Sequence, residues 1–126
     1  MFVICQWFSR RCLFSIAVLA AVAGWTGCSS KPRPPADPAK QAERLAFVQK
    51  MVDLGAVHAF EPDLTVPRLY VKEPFYRLTI DQKQKLVSIA FAYCHDAGGA
   101  TLMTVHDYQT GKEIGNVADW HAFEMK

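Results

Sequence analysis

The sequence lacks paired cysteines and lacks a large excess of charge of one sign, and each absence removes a class of function. It has four cysteines in 126 residues, and no two of them form a Cys-x-x-Cys pair. A thioredoxin-type redox site and a zinc ribbon are therefore excluded. Fourteen basic and twelve acidic residues give a net charge of +2, which is too small for a nucleic-acid-binding face. The length allows one domain, and an apolar content of 51% argues against intrinsic disorder.

The sequence also lacks a recognisable catalytic constellation. Cys94, His95 and Asp96 are the residue types of a nucleophile, a base and an orienting group, but neighbours on a helix point about 100° apart. Cys94 also lies near a predicted helix C-terminus, where the helix dipole disfavours a thiolate. The four histidines show no i, i+4 pair of the zinc-protease kind. We therefore predict no catalytic residue, no metal site and no cofactor.

What the sequence does contain is an export signal at its start. Arg10 and Arg11 precede an uncharged, largely apolar run over residues 12–27, which ends in small residues. The run continues into Thr26-Gly27-Cys28, which resembles the lipobox of bacterial membrane lipoproteins. Trp25 stands where that family usually has an aliphatic residue. The resemblance implies a signal peptide over residues 1–27, with a lipid such as palmitate attached at Cys28.

Two alternatives concern this segment. An uncleaved signal anchor is possible, although the uncharged run of 16 residues is shorter than the ~20 that span a bilayer. Residues 9–14 also resemble a twin-arginine export motif, so the export route stays open. We favour the lipoprotein because the cysteine lies where that class requires it and a linker follows directly.

Cleavage before Cys28 would change the net charge of the chain and the number of its free cysteines. Twelve basic and twelve acidic residues remain, so the formal charge becomes zero. Cys94 is then the one free thiol, so an intramolecular disulfide is impossible. Residues 28–37 form the lipidated cysteine and a spacer, with four prolines between Lys31 and Ala39. Ser29 resembles the residue after the cysteine in outer-membrane lipoproteins, which implies an outer-membrane location facing the periplasm.

The remaining residues, 38–126, predict a globular α+β domain. Asp37 followed by Pro38 indicates a helix start, and Thr79 with Gln82 forms a capping box at a second start. Apolar periodicity and turn residues predict the following elements: a helix over 38–54, a strand over 68–72, a helix over 80–95, and strands over 100–107 and 113–117.

This order, α-β-α-β-β, predicts a small two-layer sandwich. The first two strands should be parallel, because a helix connects them, and the last two should form an antiparallel hairpin. The result is a three-stranded mixed sheet with two helices on one face, onto which the tail, 118–126, should pack back. The pattern from Tyr70 to Gly115 is similar to that of small uncharacterised bacterial envelope proteins, a resemblance that implies no activity.

These observations predict a lipid-anchored binding, assembly or accessory module of the cell envelope. Its partners would be the membrane, through Cys28, and another envelope protein. Tyr108, at a predicted hairpin tip, and Trp120, in the tail, are the candidate binding residues, since Tyr and Trp offer large contact areas with few torsions. The alternatives are a small envelope enzyme that uses Cys94 or the histidines, and an inhibitor of an envelope enzyme.

Overall fold

The computed structural model describes residues 33–126, so the signal segment, Cys28 and the first half of the spacer lie outside the described residues. In chain order the elements are α1 (Pro38–Asp53), β1 (Val57–Glu61), β2 (Arg68–Val71), α2 (Glu73–Tyr76), α3 (Ile80–Gly98), β3 (Leu102–Asp107), β4 (Glu113–Ala118) and β5 (His121–Met125). The predicted mixture of helices with a mixed sheet is confirmed.

Both long helices begin at the predicted caps. The Asp37 side chain accepts a hydrogen bond from the Ala39 amide at 3.0 Å. At the start of α3, the Gln82 amide donates to Thr79 Oγ1 at 3.3 Å, and the Gln82 side chain accepts from the Thr79 amide at 3.0 Å. Each cap satisfies backbone donors that the first helical turn leaves free. The helix α3 continues to Gly98, beyond the predicted end at 95, and stops at Gly99 with a φ of 73°.

The five strands of the described residues form one sheet in the order β1-β2-β3-β4-β5. Within it, β2 and β3 run parallel, with Leu69 opposite Val105, and the other neighbouring pairs are antiparallel. The predicted parallel pair and the predicted β3–β4 hairpin are therefore both confirmed.

The prediction of a three-stranded sheet was wrong, because a strand is added at each edge. β1 pairs with β2 through an irregular register between Val57 and Ala59, and this bulge breaks the two-residue alternation that marks a strand in a sequence. β5 is formed by the tail, for which the sequence predicts packing but no strand, and it pairs with β4 from Ala118 to Gly115. A short helix, α2, is also additional.

One hydrophobic core lies between the sheet and the long helices. Its residues alternate along the strands and recur on the inner sides of α1 and α3. The buried members include Val48, Leu69, Val71, Phe75, Leu86, Val87, Ala90, Met103, Val105, Val117 and Phe123. Buried alternate positions on β2, β3 and β4 indicate that the helices cover one face of the sheet.

The strand directions give the sheet two distinct ends. β2 and β3 both finish at one end, where the chain continues into Lys72 and Tyr108. At the opposite end lie the starts of β2 and β3, the carboxyl terminus of α3 and the β4–β5 turn, since Ala118 pairs with Leu102. We call these the carboxyl end and the amino end of the sheet.

Candidate binding site at the carboxyl end of the sheet

Parallel pairing brings two loops together at the carboxyl end. Lys72 follows β2, and Tyr108 follows β3, as the register of Val71 opposite Asp107 requires. The Tyr108 amide donates a hydrogen bond to the Val71 carbonyl at 2.9 Å, which ties the two loops to each other. In open sheets, side chains that follow neighbouring parallel strands converge in this way and commonly form binding sites.

Asp107 holds the hairpin loop in place with both carboxylate oxygens. Its Oδ1 accepts from the amides of Gln109 at 2.9 Å and Thr110 at 2.8 Å, and this loop turns at Gly111 with a φ of 68°. An Asp side chain that accepts from the amides two and three residues further on is typical of a turn. Its Oδ2 accepts from the hydroxyl of Tyr76 at 2.6 Å, so the hairpin loop is fastened to α2.

The hydrogen bond between Tyr76 and Asp107 contributes to opposite pKa shifts of the two groups. The hydroxyl of Tyr76, followed by the loop amides, holds the pKa of Asp107 below its usual range. Desolvation, together with the bond to Asp107, raises the pKa of Tyr76 to about 12. At neutral pH the site therefore contains a carboxylate and a neutral phenol that donates to it.

The ring of Tyr108 is stacked but still accessible. It lies against the ring of His58 from β1, with centroids 3.6 Å apart and an interplanar angle of 28°. The Lys72 ammonium lies 5.8 Å from the centre of the Tyr108 ring, within the range of a cation–π contact. Tyr108 nevertheless keeps 47% of its surface exposed. The stack holds the ring in a defined orientation while nearly half of the residue stays exposed to solvent.

A cavity of about 320 Å³ opens beside this ring. Its lining combines one cation, two carboxylates, two phenols and an amide. The residues are Lys72, Glu73, Pro74, Tyr76, Asp107, Tyr108 and Gln109. The volume is at the lower limit for a small-molecule pocket, and it would accept a side chain or a short peptide segment.

Trp120, the second candidate binding residue, lies at the opposite end of the sheet. It occupies the β4–β5 turn, directly after the residues that pair with the start of β3, and 72% of its surface is exposed. The structure therefore separates Tyr108 and Trp120 by the length of β3, about 20 Å at 3.3 Å per residue. The two residues do not form one surface.

The structure gives Cys94, His95 and Asp96 different neighbours. Cys94 is buried, and desolvation raises its pKa to about 12, which opposes a reactive thiolate. The Nδ1 atom of His95 lies 3.1 Å from Asp119 Oδ1, whereas Asp96 is bonded to Arg44. The three side chains do not form a relay.

The histidines are also dispersed. His106 contacts Thr104 through Nε2 and the Gly111 carbonyl through Nδ1, near the carboxyl end. His95 lies at the amino end, so the two histidines do not meet. Within residues 33–126 there is no group of three or more His, Cys, Asp or Glu side chains placed to hold a metal ion.

Lys72, Tyr76 and His58 are residues of the site that the sequence does not single out. The sequence does contain a signal for Lys72 and Tyr76, because the predicted parallel strands that end at 72 and 107 must meet at one end of the sheet. His58 has none, since its strand is not predicted and its position depends on the pairing of β1 with β2.

No protein-family model matches the chain, and no curated protein or solved structure is significantly similar to it. Among the helices of residues 33–126, none has the length and apolar character required to cross a membrane.

Proposed function

We propose that the protein is a lipid-anchored module of the bacterial cell envelope that binds its partner at the carboxyl end of the sheet. Cys28 would carry the lipid, and the proline-containing spacer would connect it to the domain. The proposal includes a periplasm-facing position at the outer membrane, which rests on the Thr26-Gly27-Cys28 motif and on Ser29. The partner would be another envelope protein.

One observation carries the binding role: Tyr108 is exposed, pre-oriented by His58 and flanked by the Lys72 ammonium. An immobilised aromatic ring loses little conformational entropy on binding and offers a large contact area. The Tyr76–Asp107 hydrogen bond fixes the loop that carries it. A rigid aromatic anchor beside a small cavity is a common arrangement at protein-binding surfaces.

The chemistry of the surface indicates what the partner would offer. Glu73 is paired with Arg77 at 2.8 Å, and Asp107 is occupied by the loop amides and Tyr76. Lys72 is therefore the charge that is left facing the ring and the cavity. This arrangement favours a segment with an aromatic or aliphatic side chain for the cavity and a neighbouring carboxylate for Lys72.

The enzyme alternative has less support. It would require Cys94 or the histidines to act together, but Cys94 is buried with a pKa near 12 and His95 and His106 lie at opposite ends of β3. No separate feature of the described residues favours the inhibitor alternative.

Crosslinking and co-purification from envelope membranes test the binding role. We expect Tyr108→Ala and Lys72→Ala to reduce recovery of the partner several-fold, with the thermal midpoint of the protein unchanged. Leu45→Ala is the matched control, because Leu45 on α1 is 45% exposed but lies away from the site. Recovery that survives both site substitutions, or falls equally in the control, would remove the carboxyl end as the binding surface.

Fatty-acid labelling tests the anchor. Cells fed a clickable palmitate analogue should label the wild-type chain, and Cys28→Ala should abolish the label. Equal labelling of the Cys28→Ala chain contradicts lipidation at this position. An unlabelled chain that still fractionates with membranes would indicate the uncleaved signal anchor.

A further inference from the structure

We propose that the amino end of the sheet lies against the bilayer to which the chain is tethered, with Trp120, Leu64 and Val66 in the interfacial layer. The inference rests on the proposed membrane tether before Arg33. It adds an orientation for the domain and a second surface, whose ligand is the lipid bilayer itself.

The first step is the point at which the chain joins the domain. The Arg33 guanidinium donates to the carbonyl of His95 at 2.5 Å, near the carboxyl terminus of α3, where exposed carbonyls attract cations. The same group lies directly over Gly99, since a Cβ atom there would be 2.6 Å from Nη1 of Arg33. The end of the spacer is thus held at the amino end of the sheet.

The second step is the reach of the tether. Cys28 precedes Arg33 by five residues, and a fully extended chain covers at most about 3.6 Å per residue. A lipidated Cys28 would therefore lie within about 18 Å of Arg33. A tether this short favours orientations in which that end of the domain is nearest the membrane.

The third step is the chemistry of the amino end. Leu64 and Val66 are exposed in the loop between β1 and β2, and Trp120 is the most exposed large apolar side chain among the described residues. The Asp119 amide donates to the Thr101 carbonyl at 3.1 Å, and Leu64 shares a cavity of about 610 Å³ with Gly99 and Thr101. Leu64 thus lies beside the carboxyl terminus of α3, and Val66 and Trp120 belong to loops at the same end of the sheet. Trp and Tyr are the residues enriched at membrane interfaces, where one end of the side chain is apolar and the other is hydrated.

The charges at this end do not require an anionic membrane. Asp96 is paired with Arg44, and Asp119 lies beside His95. Asp63 has no ion pair within the described part of the chain. Arg33 and Asp63 add one charge of each sign, so this end has no excess of positive charge. We therefore assign the attraction to burial of aromatic and aliphatic surface in a zwitterionic bilayer.

Trp120 is itself the probe for this orientation. The chain has three tryptophans, Trp7, Trp25 and Trp120. In the full chain carrying Trp7→Phe and Trp25→Leu, Trp120 is the sole tryptophan whether or not the signal is cleaved. This protein, purified from membranes and reconstituted in phosphatidylcholine vesicles, is compared with and without brominated acyl chains.

We expect Trp120 emission to be blue-shifted in vesicles, quenched at least twofold by the brominated lipid and shielded from iodide. The matched control adds Trp120→Phe and Tyr108→Trp to the same background, which moves the probe to the carboxyl end. That tryptophan should be quenched by iodide and unaffected by the brominated lipid.

Vesicle flotation separates the two proposals. A protein that floats with the vesicles while Trp120 stays open to iodide overturns the docked orientation and leaves the tether intact. Shielding from iodide without quenching by brominated lipid indicates a second copy on this surface and also overturns it. Failure to float removes the tether, and the orientation with it.

Discussion

Phe123 and Trp120 lie three residues apart and have opposite surroundings. Phe123 on β5 is 6% exposed and packs edge-on against Phe75 with ring centroids 6.3 Å apart, whereas Trp120 in the preceding turn faces solvent. The expectation that the tail packs back onto the sheet is therefore correct for Phe123 and wrong for Trp120. The difference follows from position, because Phe123 lies on the covered face of β5, whereas Trp120 belongs to the turn before that strand.

This contrast predicts the stability of two alanine variants. Phe123→Ala removes a buried ring and should lower the free energy of unfolding by about 3–5 kcal/mol. Trp120→Ala should change it by no more than about 0.5 kcal/mol, as is usual at exposed sites. Urea titrations followed by circular dichroism measure both. A Trp120→Ala loss similar to that of Phe123→Ala would show that Trp120 is part of the core.

The burial of Cys94 predicts that the free energy of unfolding falls at alkaline pH. Burial raises its pKa to about 12, whereas the unfolded thiol titrates near 8.5, so the folded protein holds this proton more tightly. The contribution is complete below about pH 8.5 and is lost as the pH rises towards 12. Cys94→Ala should flatten this alkaline decline in urea titrations, and a thiol reagent at pH 8 should label Cys94 only after unfolding. Rapid labelling of the native protein would contradict the burial of this thiol.

At the scale of elements, the pairing of β4 with β5 depends on Gly115. A Cβ atom on this residue would meet the Glu124 carbonyl oxygen and would lie 2.7 Å from Cε2 of Phe123. Because one of these neighbours is backbone, it cannot move without disturbing the strand. A side chain at this position would therefore separate β5 from β4 or displace Phe123 from the core.

Gly115→Ala should accordingly lower the free energy of unfolding by about 1–3 kcal/mol. Gly98→Ala is the matched control, because Gly98 lies in α3 and a Cβ atom added there would have no neighbour within 4 Å. That change should be neutral or stabilising by up to about 1 kcal/mol. Equal effects of the two substitutions in thermal melts would contradict this prediction, because they would show that the sheet accommodates a Cβ atom at Gly115 without loss of stability.

At the scale of the whole molecule, the part from Arg33 to Lys126 is compact. A chain of residues 33–126 should be a soluble monomer without detergent, with helix and strand signals in circular dichroism. A chain of residues 36–126 keeps the Asp37 cap but lacks the bond from Arg33 to His95, and it should be less stable by about 1 kcal/mol or less. Size-exclusion chromatography and urea titration measure both, and aggregation of the longer chain would contradict an independently folding domain.

Local signals are enough to predict the long helices, the hairpin and the parallel pair. Asp37 and Thr79 cap their helices with groups two or three residues away, and Gly111 allows its loop to turn. Interactions of this range are contained in a short window of sequence. The exposure of Tyr108 is predictable for the same reason, since a hairpin tip is remote from any core.

Only the tertiary structure decided the edge strands and the neighbours of Tyr108. β1 and β5 form because a neighbouring strand offers free backbone donors and acceptors. Neither segment shows a clear alternation of apolar and polar residues. In β1 the alternation is broken by the bulge near His58. The stack of His58 on Tyr108 and the bond from Tyr76 to Asp107 join residues 50 and 31 positions apart. Such contacts depend on strand order and register, which are set by packing of the whole sheet against the helices and are therefore not contained in any short segment.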